Sequence, residues 1–428
     1  MHYAILTLPY TGHLNPLLAL GRALQRRGHR VTMVAPPDAE PKTRRAGLEF
    51  IPFASKPFAR GTWPERTAGA AKLTGFAATR TLVRLHALAV REMQQELPAI
   101  AARARFDGLV MDQIVVGTEG VCQVIGLPLA VACAALPFQI ESTIPPATFV
   151  WPHDTSLTAR IRNLCGQFVV NISGIPVGRE VMPYRCRHRL RPMGPFYINE
   201  LRPSLVQVAQ LPASFDFPRQ RLPKNFHYTG PWIDSNVHEE SNFPWDRLDG
   251  RPLVYASLGT LQNGLEPAFR AIVEGCADLD VQLILALGRK GAMLPGITAP
   301  NAIIVDYAPQ PVLVRRARLV ITHGGLNTAL ECLQAGVPML ALPITNDQPG
   351  VAARIRHFNV GDFIPVRDVT PQTLRELAAQ LLGSERVKSR AVSFATELLP
   401  RDSVGMAAEL IERAFKTRQQ VRRSYATS

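Results

Sequence analysis

The chain has 428 residues, which suggests two domains of ordinary size. Hydrophobic residues make up 46% of it and charged residues 19%, which excludes a disordered chain, and no apolar run is long enough to span a bilayer. The net charge of +14 favours anionic partners, but arginines are spread along the whole chain without an RNA-binding, zinc-finger or basic-arm signature, so we predict no nucleic-acid partner.

The first half of the chain alternates short apolar runs with helical spacings. The segment "YAILTLP" predicts a strand, and Leu17, Leu20 and Leu24 predict a helix that ends near Gly28. Further strands are predicted at "HRVTMVAP", "LEFIPF", "GLVMD" and "LPLAVACA", with a helix over Thr118 to Ile125. This alternation is typical of parallel βαβ units in a doubly wound sheet.

The sequence pattern changes over residues 211–250. Prolines interrupt every possible helix there and predict an interdomain linker. Strand signals return in residues 251–400 at "PLVYASLGT", "VQLILALG", "AIIVDYA", "ARLVITHGG" and "PMLALPI". Residues 401–428 predict a terminal helix and tail. The predicted fold class is therefore α/β, with Rossmann-like domains over 1–210 and 251–400 that face a central cleft.

Polar residues follow four predicted strands of the second domain. Together they are predicted to form the rim of one pocket. A glycine turn before a helix suits a diphosphate, because backbone N–H groups and the helix N-terminus face an anion. Glu331 suits ribose hydroxyls, Tyr307 offers a flat face for a base, and Asp347 with Gln348 suits sugar hydroxyls. We refer to the ligand with these groups as the donor. Its predicted binding residues in this domain are Ser257, Gly259, Thr260, Tyr307, Ala308, Gln310, His323, Gly325, Asn327, Thr328, Glu331, Asp347 and Gln348.

The first domain offers a candidate base, His13, in "PYTGHLNP", a predicted loop after the first strand, and Gly12 of the same loop is a further predicted donor-binding residue. A Gly-x-Gly-x-x-Gly fingerprint is missing there, which argues against a dinucleotide cofactor. An imidazole can accept a proton from a hydroxyl at neutral pH, and it needs an orienting carboxylate. Asp112 ends the strand "GLVMD" at the same sheet edge, whereas Asp107 begins that strand at the opposite edge.

A set of more than ten positions over about forty residues resembles the C-terminal signature of family 1 glycosyltransferases of the GT-B fold, which use nucleotide sugars. These positions are Pro309, Gln310, His323, Gly324, Gly325, Asn327, Thr328, Glu331, Gly336, Pro338, Pro343, Asp347 and Gln348. Two departures from the family pattern are Tyr307, where many members carry Trp, and Thr328, where Ser is commoner. The resemblance also implies a terminal helix that crosses back to the N-terminal domain.

Residue roles follow from the same resemblance. It implies that the diphosphate is held by His323, Gly325, Asn327 and Thr328, the ribose by Glu331, and the donor sugar by Asp347 and Gln348. It further implies that His13, in a "GHLNP" loop similar to the family's catalytic segment, is the general base and that Asp112 is its partner.

The reaction implied is an inverting hexose transfer that uses a UDP-sugar as co-substrate, with no cofactor and no metal ion. His13 would deprotonate the acceptor, and the oxygen would attack the anomeric carbon opposite the leaving diphosphate. The Asp-x-Asp at Asp278 and Asp280 lies in a predicted loop far from these motifs, so it predicts no metal site. A nucleotide-sugar epimerase, a rival class, would need a further carboxylate beside Glu331 and Asp347. A charge-driven nucleic-acid binder is another rival.

The acceptor is less constrained. The segment from Ile140 to Pro195 combines aromatic residues, prolines and arginines, and predicts either a lipophilic acceptor channel or an ordinary helical insertion. Segments such as "QLPASFDFPRQRLPKNFHYTGP" and "ALPITNDQPGVAARI" resemble the carotenoid-glucosylating branch of the family. This implies glucose as the sugar and a carotenoid such as zeaxanthin as the acceptor. Macrolide, flavonoid, sterol, other natural-product and lipid-linked acceptors remain alternatives.

The sequence also supports expectations about the cellular location of the protein, its cysteines and its oligomeric state. The N-terminal segment lacks a basic region and a cleavage site, so we expect a cytoplasmic protein, with peripheral contact to the inner face of the membrane as an open alternative. The six cysteines show no Cys-x-x-Cys spacing, which argues against a zinc site and a disulfide framework. Either a monomer or a homodimer is compatible with the sequence.

Overall fold

Two parallel β-sheets form the framework of the computed structural model, which describes residues 1–192, 204–234, 243–261, 264–289, 291–297 and 299–423. The first sheet has the strand order β3-β2-β1-β4-β5-β6-β7, and the second has the order β10-β9-β8-β11-β12-β13. All the strand pairs in both sheets are parallel. These are two doubly wound, Rossmann-like sheets, and they confirm the predicted fold class.

The strands of the first sheet are β1 (His2–Leu6), β2 (Arg30–Ala35), β3 (Glu49–Pro52), β4 (Gly108–Asp112), β5 (Leu129–Cys133), β6 (Val206–Ala209) and β7 (Phe226–Tyr228). The strands of the second sheet are β8 (Leu253–Ser257), β9 (Gln282–Ala286), β10 (Ala302–Val305), β11 (Ala317–Thr322), β12 (Met339–Ala341) and β13 (Gly361–Phe363).

The helices of the first half are α1 (Thr11–Arg26), α2 (Glu40–Arg45), α3 (Trp63–Ala71), α4 (Gly75–Ala104), α5 (Thr118–Ile125), α6 (Leu157–Ser173) and α7 (Ile175–Arg187). Those of the second half are α8 (Glu266–Cys276), α9 (Gln310–Arg316), α10 (Leu326–Ala335), α11 (Gln348–His357), α12 (Pro371–Leu382), α13 (Glu385–Leu398) and α14 (Ser403–Thr417). None of the described helices is both long and apolar enough to cross a membrane.

Alternate residues of β1 pack into two separate hydrophobic cores, because successive side chains of a strand point to opposite faces of the sheet. Ala4 and Leu6 belong to the cluster that α4 covers, whereas Tyr3 and Ile5 belong to the cluster that α1 and α14 cover. Because both faces of the sheet are buried, its strands are continuous apolar runs.

The last helix, α14, leaves the second domain and packs against the first, as the family resemblance implied. Phe415 is buried, and its ring centroid lies 5.0 Å from that of Tyr3 in β1. A Cβ atom at Gly108, the first residue of β4, would lie 2.7 Å from the Phe415 ring. The ring therefore packs directly on the backbone where β4 begins.

The predicted linker over residues 211–250 does more than connect the domains. Phe226–Tyr228 pairs with β6 as the edge strand β7 of the first sheet, a position where nearby prolines interrupt no ladder. Residues 235–242 of this segment lie outside the described part of the chain. Of the two alternatives for residues 140–195, helices are present as α6 and α7, while residues 193–195 are not described.

Candidate active site

His13 and Asp112 meet at the carboxyl edge of the first sheet. Asp112 is the last residue of β4, which pairs with β1, and His13 lies in the first turn of α1 just after β1. The loop predicted for His13 is thus shorter than expected, because α1 begins at Thr11. His13 Nδ1 lies 2.9 Å from Asp112 Oδ2, and the Thr7 hydroxyl donates to the same oxygen at 2.7 Å.

The environment of this pair defines its chemistry. Asp112 is fully buried, whereas His13 keeps 18% of its side chain exposed, so the imidazole is the member that a substrate can reach. Burial acts to lower the pKa of His13, but the charge of Asp112 and its hydrogen bond outweigh that effect and raise the pKa above its ordinary value. Since Nδ1 donates to the carboxylate, Nε2 is left to accept a proton.

A glycine turn joins β11 to α10 in the second domain. Gly324 has a positive φ of 79°, and Gly325 is the N-cap residue of α10. The ring of His323 lies between two glycines, since a Cβ atom would lie 2.8 Å from His323 Cε1 at Gly259 and 2.5 Å from His323 Nε2 at Gly325. The two glycines therefore make room for an imidazole beside a helix N-terminus, a geometry that suits an anion.

Burial lowers the pKa of His323 to about 4, and only a hydrogen bond that the ring donates to the backbone of Ser257 acts in the other direction. The ring is therefore neutral at physiological pH and can donate one N–H. Ser257 ends β8, and its Oγ accepts from the Gly259 N–H at 3.3 Å. Thr260 follows on the same turn.

A buried polar network links α9 to α10. Gln310 Nε2 donates to Glu331 Oε2 at 2.9 Å and to Thr328 Oγ1 at 3.2 Å, while Tyr255 donates its hydroxyl to Gln310 Oε1 at 3.1 Å. Burial raises the pKa of Glu331 to about 7, and the hydrogen bond from Gln310 opposes that rise. The structure thus joins Gln310, Thr328 and Glu331, three residues predicted to bind the donor, in one network.

Tyr307 and Ala308 occupy the turn between β10 and α9, next to this network. The Tyr307 N–H donates to Asp306 Oδ1 at 2.8 Å, and the Ala308 carbonyl accepts from the Gln310 N–H at 2.8 Å. Their assignment to the base of the nucleotide stays a prediction.

Two of the predicted donor-binding residues, Asn327 and Asp347, make polar contacts across the cleft. Asn327 Nδ2 donates to the carbonyl of Gly12 at 2.8 Å, and Asn327 Oδ1 accepts from Gln210 Nε2 at 2.8 Å. The Leu136 N–H donates to Asp347 Oδ2 at 3.2 Å. The helix that begins at the glycine turn is therefore in direct contact with the segment that carries the candidate base.

Asp347 and Gln348 stand at the start of α11, but they are used differently. Burial raises the pKa of Asp347, and the Leu136 N–H and His13 act against that rise. The side-chain oxygen of Gln348 accepts from the N–H groups of Ile344 and Thr345 at 2.9 and 3.0 Å. That oxygen shapes the loop, and the role of both residues in holding a sugar stays a prediction.

Three residues of these networks are missing from the sequence prediction. Gln210 and Thr7 follow the strands β6 and β1, so the rule that polar residues at strand ends build the site could have found them. Tyr255 lies within β8 and carries no such signal.

The described residues contain no group of three or more His, Cys, Asp and Glu side chains that could hold a metal ion. Asp278, one member of the Asp-x-Asp pair, is exposed and forms an ion pair with Arg375 at 2.8 Å. It lies in the turn between α8 and β9.

Two Rossmann-like domains that meet across a cleft, with a His–Asp pair on one side and a glycine turn at a helix N-terminus on the other, define the class of GT-B glycosyltransferases. Comparisons with known proteins agree. Residues 195–398 match the family model described as "UDP-glucoronosyl and UDP-glucosyl transferase", and residues 10–110 match the glycosyltransferase family 28 N-terminal domain.

The chain is similar over its length to two zeaxanthin glucosyltransferases. It is 30% identical to that of Pseudescherichia vulneris, over 98% of this chain and 99% of the relative. It is 29% identical to that of Pantoea ananas, over 98% and 97% of the two chains. The crystal structure of the glycotransferase of kitacinnamycin shares the fold, with a TM-score of 0.74, 23% identity and coverage of 97% and 99%.

The chain belongs to family 1 of the glycosyltransferases, and the family resemblance predicted from the sequence is confirmed. It is an enzyme, a UDP-sugar-dependent glycosyltransferase.

Proposed function

We propose that the enzyme transfers glucose from UDP-glucose to a hydroxyl group of a lipophilic small molecule, with inversion at the anomeric carbon and without a metal ion. The observation that carries this proposal is the contact of 2.9 Å between His13 Nδ1 and Asp112 Oδ2 at the cleft. It presents an imidazole whose Nε2 can accept a proton, on the side of the cleft opposite the glycine turn.

The reaction begins with the acceptor hydroxyl beside His13. Nε2 takes the hydroxyl proton, the oxygen forms a bond to the anomeric carbon, and the bond from that carbon to the diphosphate oxygen breaks. The electron pair of the broken bond leaves with UDP. Because attacking and leaving oxygens lie on opposite faces of the sugar, configuration inverts, and Asp112 stabilises the imidazolium that forms.

The leaving diphosphate is stabilised by hydrogen-bond donors and by positive electrostatic potential. The N-terminus of α10 supplies backbone N–H groups and the positive end of a helix dipole, and the ring of His323 packs beside it against Gly325. The hydroxyl of Thr328 lies in the same first turn. This preorganised set replaces the charge that a metal ion would otherwise supply.

A carotenoid such as zeaxanthin is the acceptor that we propose. Two full-length relatives are named zeaxanthin glucosyltransferases. An aromatic cluster also lies beside the candidate base: the ring of Tyr10 is 5.0 Å from that of Trp63 and 5.5 Å from that of His86, and 6.2 Å from that of His13. An aromatic surface of this kind suits an apolar acceptor that presents one hydroxyl group to the base.

The test is mass spectrometry of the products formed from UDP-glucose and a panel of zeaxanthin, flavonoid, macrolide and sterol acceptors in the presence of EDTA. We expect a hexose on zeaxanthin, with NMR showing an inverted anomeric centre. Transfer only to another class would contradict the carotenoid proposal, and loss of transfer in EDTA that added Mg²⁺ restores would contradict metal independence.

His13→Ala tests the base itself. Turnover should fall by about 10²–10⁴-fold, because the general base is lost. UDP affinity, measured by calorimetry, should stay within about twofold, since UDP contacts the other domain. Unchanged turnover would contradict the role of His13.

A further inference from the structure

Helix α6 carries an apolar stripe on the side that faces away from the protein. Leu157, Ile161, Leu164, Phe168 and Ile172 recur at intervals of three and four residues, which places them on one face. Their exposed fractions are 73%, 54%, 45%, 62% and 48%. A surface helix normally turns such a stripe toward the core, so the orientation of α6 is reversed.

Small and polar residues fix this orientation. Ala159, Asn163 and Gly166 lie about half a turn away from the stripe and are buried. Gly166 packs on Trp151, since a Cβ atom at that glycine would lie 2.6 Å from Trp151 Cζ3, and Asn163 Nδ2 donates to the carbonyl of Ser142 at 2.9 Å. The stripe points outward because the opposite face is built to pack inward.

The stripe is set in a strongly basic region. Residues 157–192, which cover α6, α7 and the residues after them, contain seven arginines and one acidic residue, a net charge of +6. Arg160, Arg179 and Arg187 are exposed. The acidic residue, Glu180, is already engaged by Arg91 at 2.7 Å. Little negative charge is therefore left within residues 157–192 to offset the arginines.

We propose that α6 is the face through which the enzyme docks on an anionic lipid bilayer. The stripe would enter the boundary between headgroups and acyl chains, while the arginines contact lipid phosphates. A second copy of the chain fits this face less well, because a two-fold contact would bring two regions of +6 together. The docking does not depend on which acceptor the enzyme uses.

The position of α6 connects the docking face to the cleft. The segment between β5 and α6 contacts the second domain: the Leu136 N–H donates to Asp347 Oδ2, and the carbonyl of Ala147 accepts from the Gly350 N–H at 2.7 Å. A bilayer held by α6 would thus lie at the outer end of the segment that lines the cleft.

Cosedimentation of the full chain with vesicles tests the proposal. The vesicles contain either phosphatidylcholine alone or about one third phosphatidylglycerol. We expect binding to the anionic vesicles that weakens with added salt, and little binding to the neutral ones. The stripe variant replaces Leu157, Ile161, Leu164 and Phe168 with Gln and should lose about tenfold or more in partitioning.

Two further variants separate docking from folding. Val392→Gln with Leu399→Gln removes exposed apolar side chains at α13 in the other domain and should leave partitioning unchanged. Arg179→Gln with Arg187→Gln keeps the stripe and should weaken binding to anionic vesicles by about tenfold, with a smaller salt dependence.

Some outcomes would overturn the proposal. Failure of the unaltered protein to bind anionic vesicles is one, and equal binding to both vesicle types is another. Unchanged partitioning of the stripe variant is a third. If light scattering shows a dimer that the stripe variant converts to a monomer while vesicle binding is absent, the face contacts a second copy instead.

Discussion

At the scale of single residues, the carboxylate of Asp112 controls the basicity of His13. A general base works only when it is unprotonated, so activity is lost as the pH falls through its pKa. The charge of Asp112 raises that pKa against the effect of burial, which moves the acidic limb of the pH–rate profile to higher pH. Removing the charge should move the limb back.

Asp112→Asn is therefore expected to have two effects. Turnover falls by about 10²–10⁴-fold, because an amide neither fixes the tautomer of His13 nor stabilises the imidazolium. The acidic limb of kcat/KM against pH also moves to lower pH. Asp107→Asn is the matched control at the opposite end of β4, where the carboxylate accepts from the His2 N–H, and it should leave the limb in place. A limb that stays fixed in Asp112→Asn would contradict the pairing.

Gly325 is needed for space rather than for backbone freedom. Its φ of −63° and ψ of 135° are open to any residue, but a Cβ atom would lie 2.5 Å from Nε2 of His323. Gly325→Ala should push the imidazole out of the glycine turn and raise the KM for the donor by about tenfold, with a smaller effect on kcat. Initial-rate kinetics with varied UDP-glucose measure this.

The control for that substitution is Gly69→Ala in α3, where no atom lies within 4 Å of the added Cβ. It should leave the KM for the donor unchanged. An unchanged KM in Gly325→Ala would show that the ring of His323 does not contact the donor.

Much of the site could be predicted from local sequence because its residues follow strands. Ser257 ends β8, His323 directly follows β11, and Gln310 begins the helix that follows β10, and parallel strands end at one edge. The bridge from Gln210 through Asn327 to Gly12 could not be predicted in the same way. It depends on how the two domains face each other, which no local pattern encodes.

At the scale of secondary-structure elements, buried strands are the most predictable part of the fold. They are continuous apolar runs, so β1, β4 and β11 stand out from the sequence alone. The partners of helices are harder to predict, because an apolar stripe shows that a helix packs but not where. The apolar residues of α14 indicate packing, but only the structure shows that Phe415 rests on β4.

Phe415→Ala tests the return of α14 to the first domain. Phe415 is almost fully buried between Tyr3 and the backbone of Gly108, so its loss should lower the free energy of unfolding by roughly 3–5 kcal/mol. Urea titration followed by circular dichroism measures the change. Met406→Ala is the control, since Met406 on the same helix is exposed, and its effect should be much smaller. Equal effects of the two substitutions would contradict this packing.

At the scale of the whole molecule, one buried carboxylate ties the domains together. Asp216 accepts from Arg354 Nη2 of α11 at 2.6 Å, from Arg219 Nε at 2.7 Å and from the Tyr228 hydroxyl of β7 at 2.6 Å. It thereby joins the edge of the first sheet to a helix of the second domain. Burial acts to raise the pKa of Asp216, but the two guanidinium charges outweigh it and hold the pKa well below its usual range.

Asp216→Asn should therefore be costly, and the cost should depend on pH. Losing the carboxylate leaves two buried guanidinium groups without their counter-charge, which removes roughly 3–5 kcal/mol of stability at neutral pH. Because the folded pKa is depressed, the stabilisation is complete above the unfolded value of about 3.9 and is lost as the pH falls toward the folded value. Urea titrations at several pH values should show the two proteins converging below about pH 4.

The exposed pair of Asp249 and Arg251 provides the control for this network. Asp249→Asn removes a carboxylate from an arginine in the same way, but solvent screens both charges, so a much smaller loss is expected. A gap between Asp216→Asn and the unaltered protein that stays constant down to pH values below about 4 would contradict the depressed pKa. If the gap narrows as expected, ionisation of this single carboxylate stabilises the contact between the two domains, and with it the cleft in which His13 faces the glycine turn.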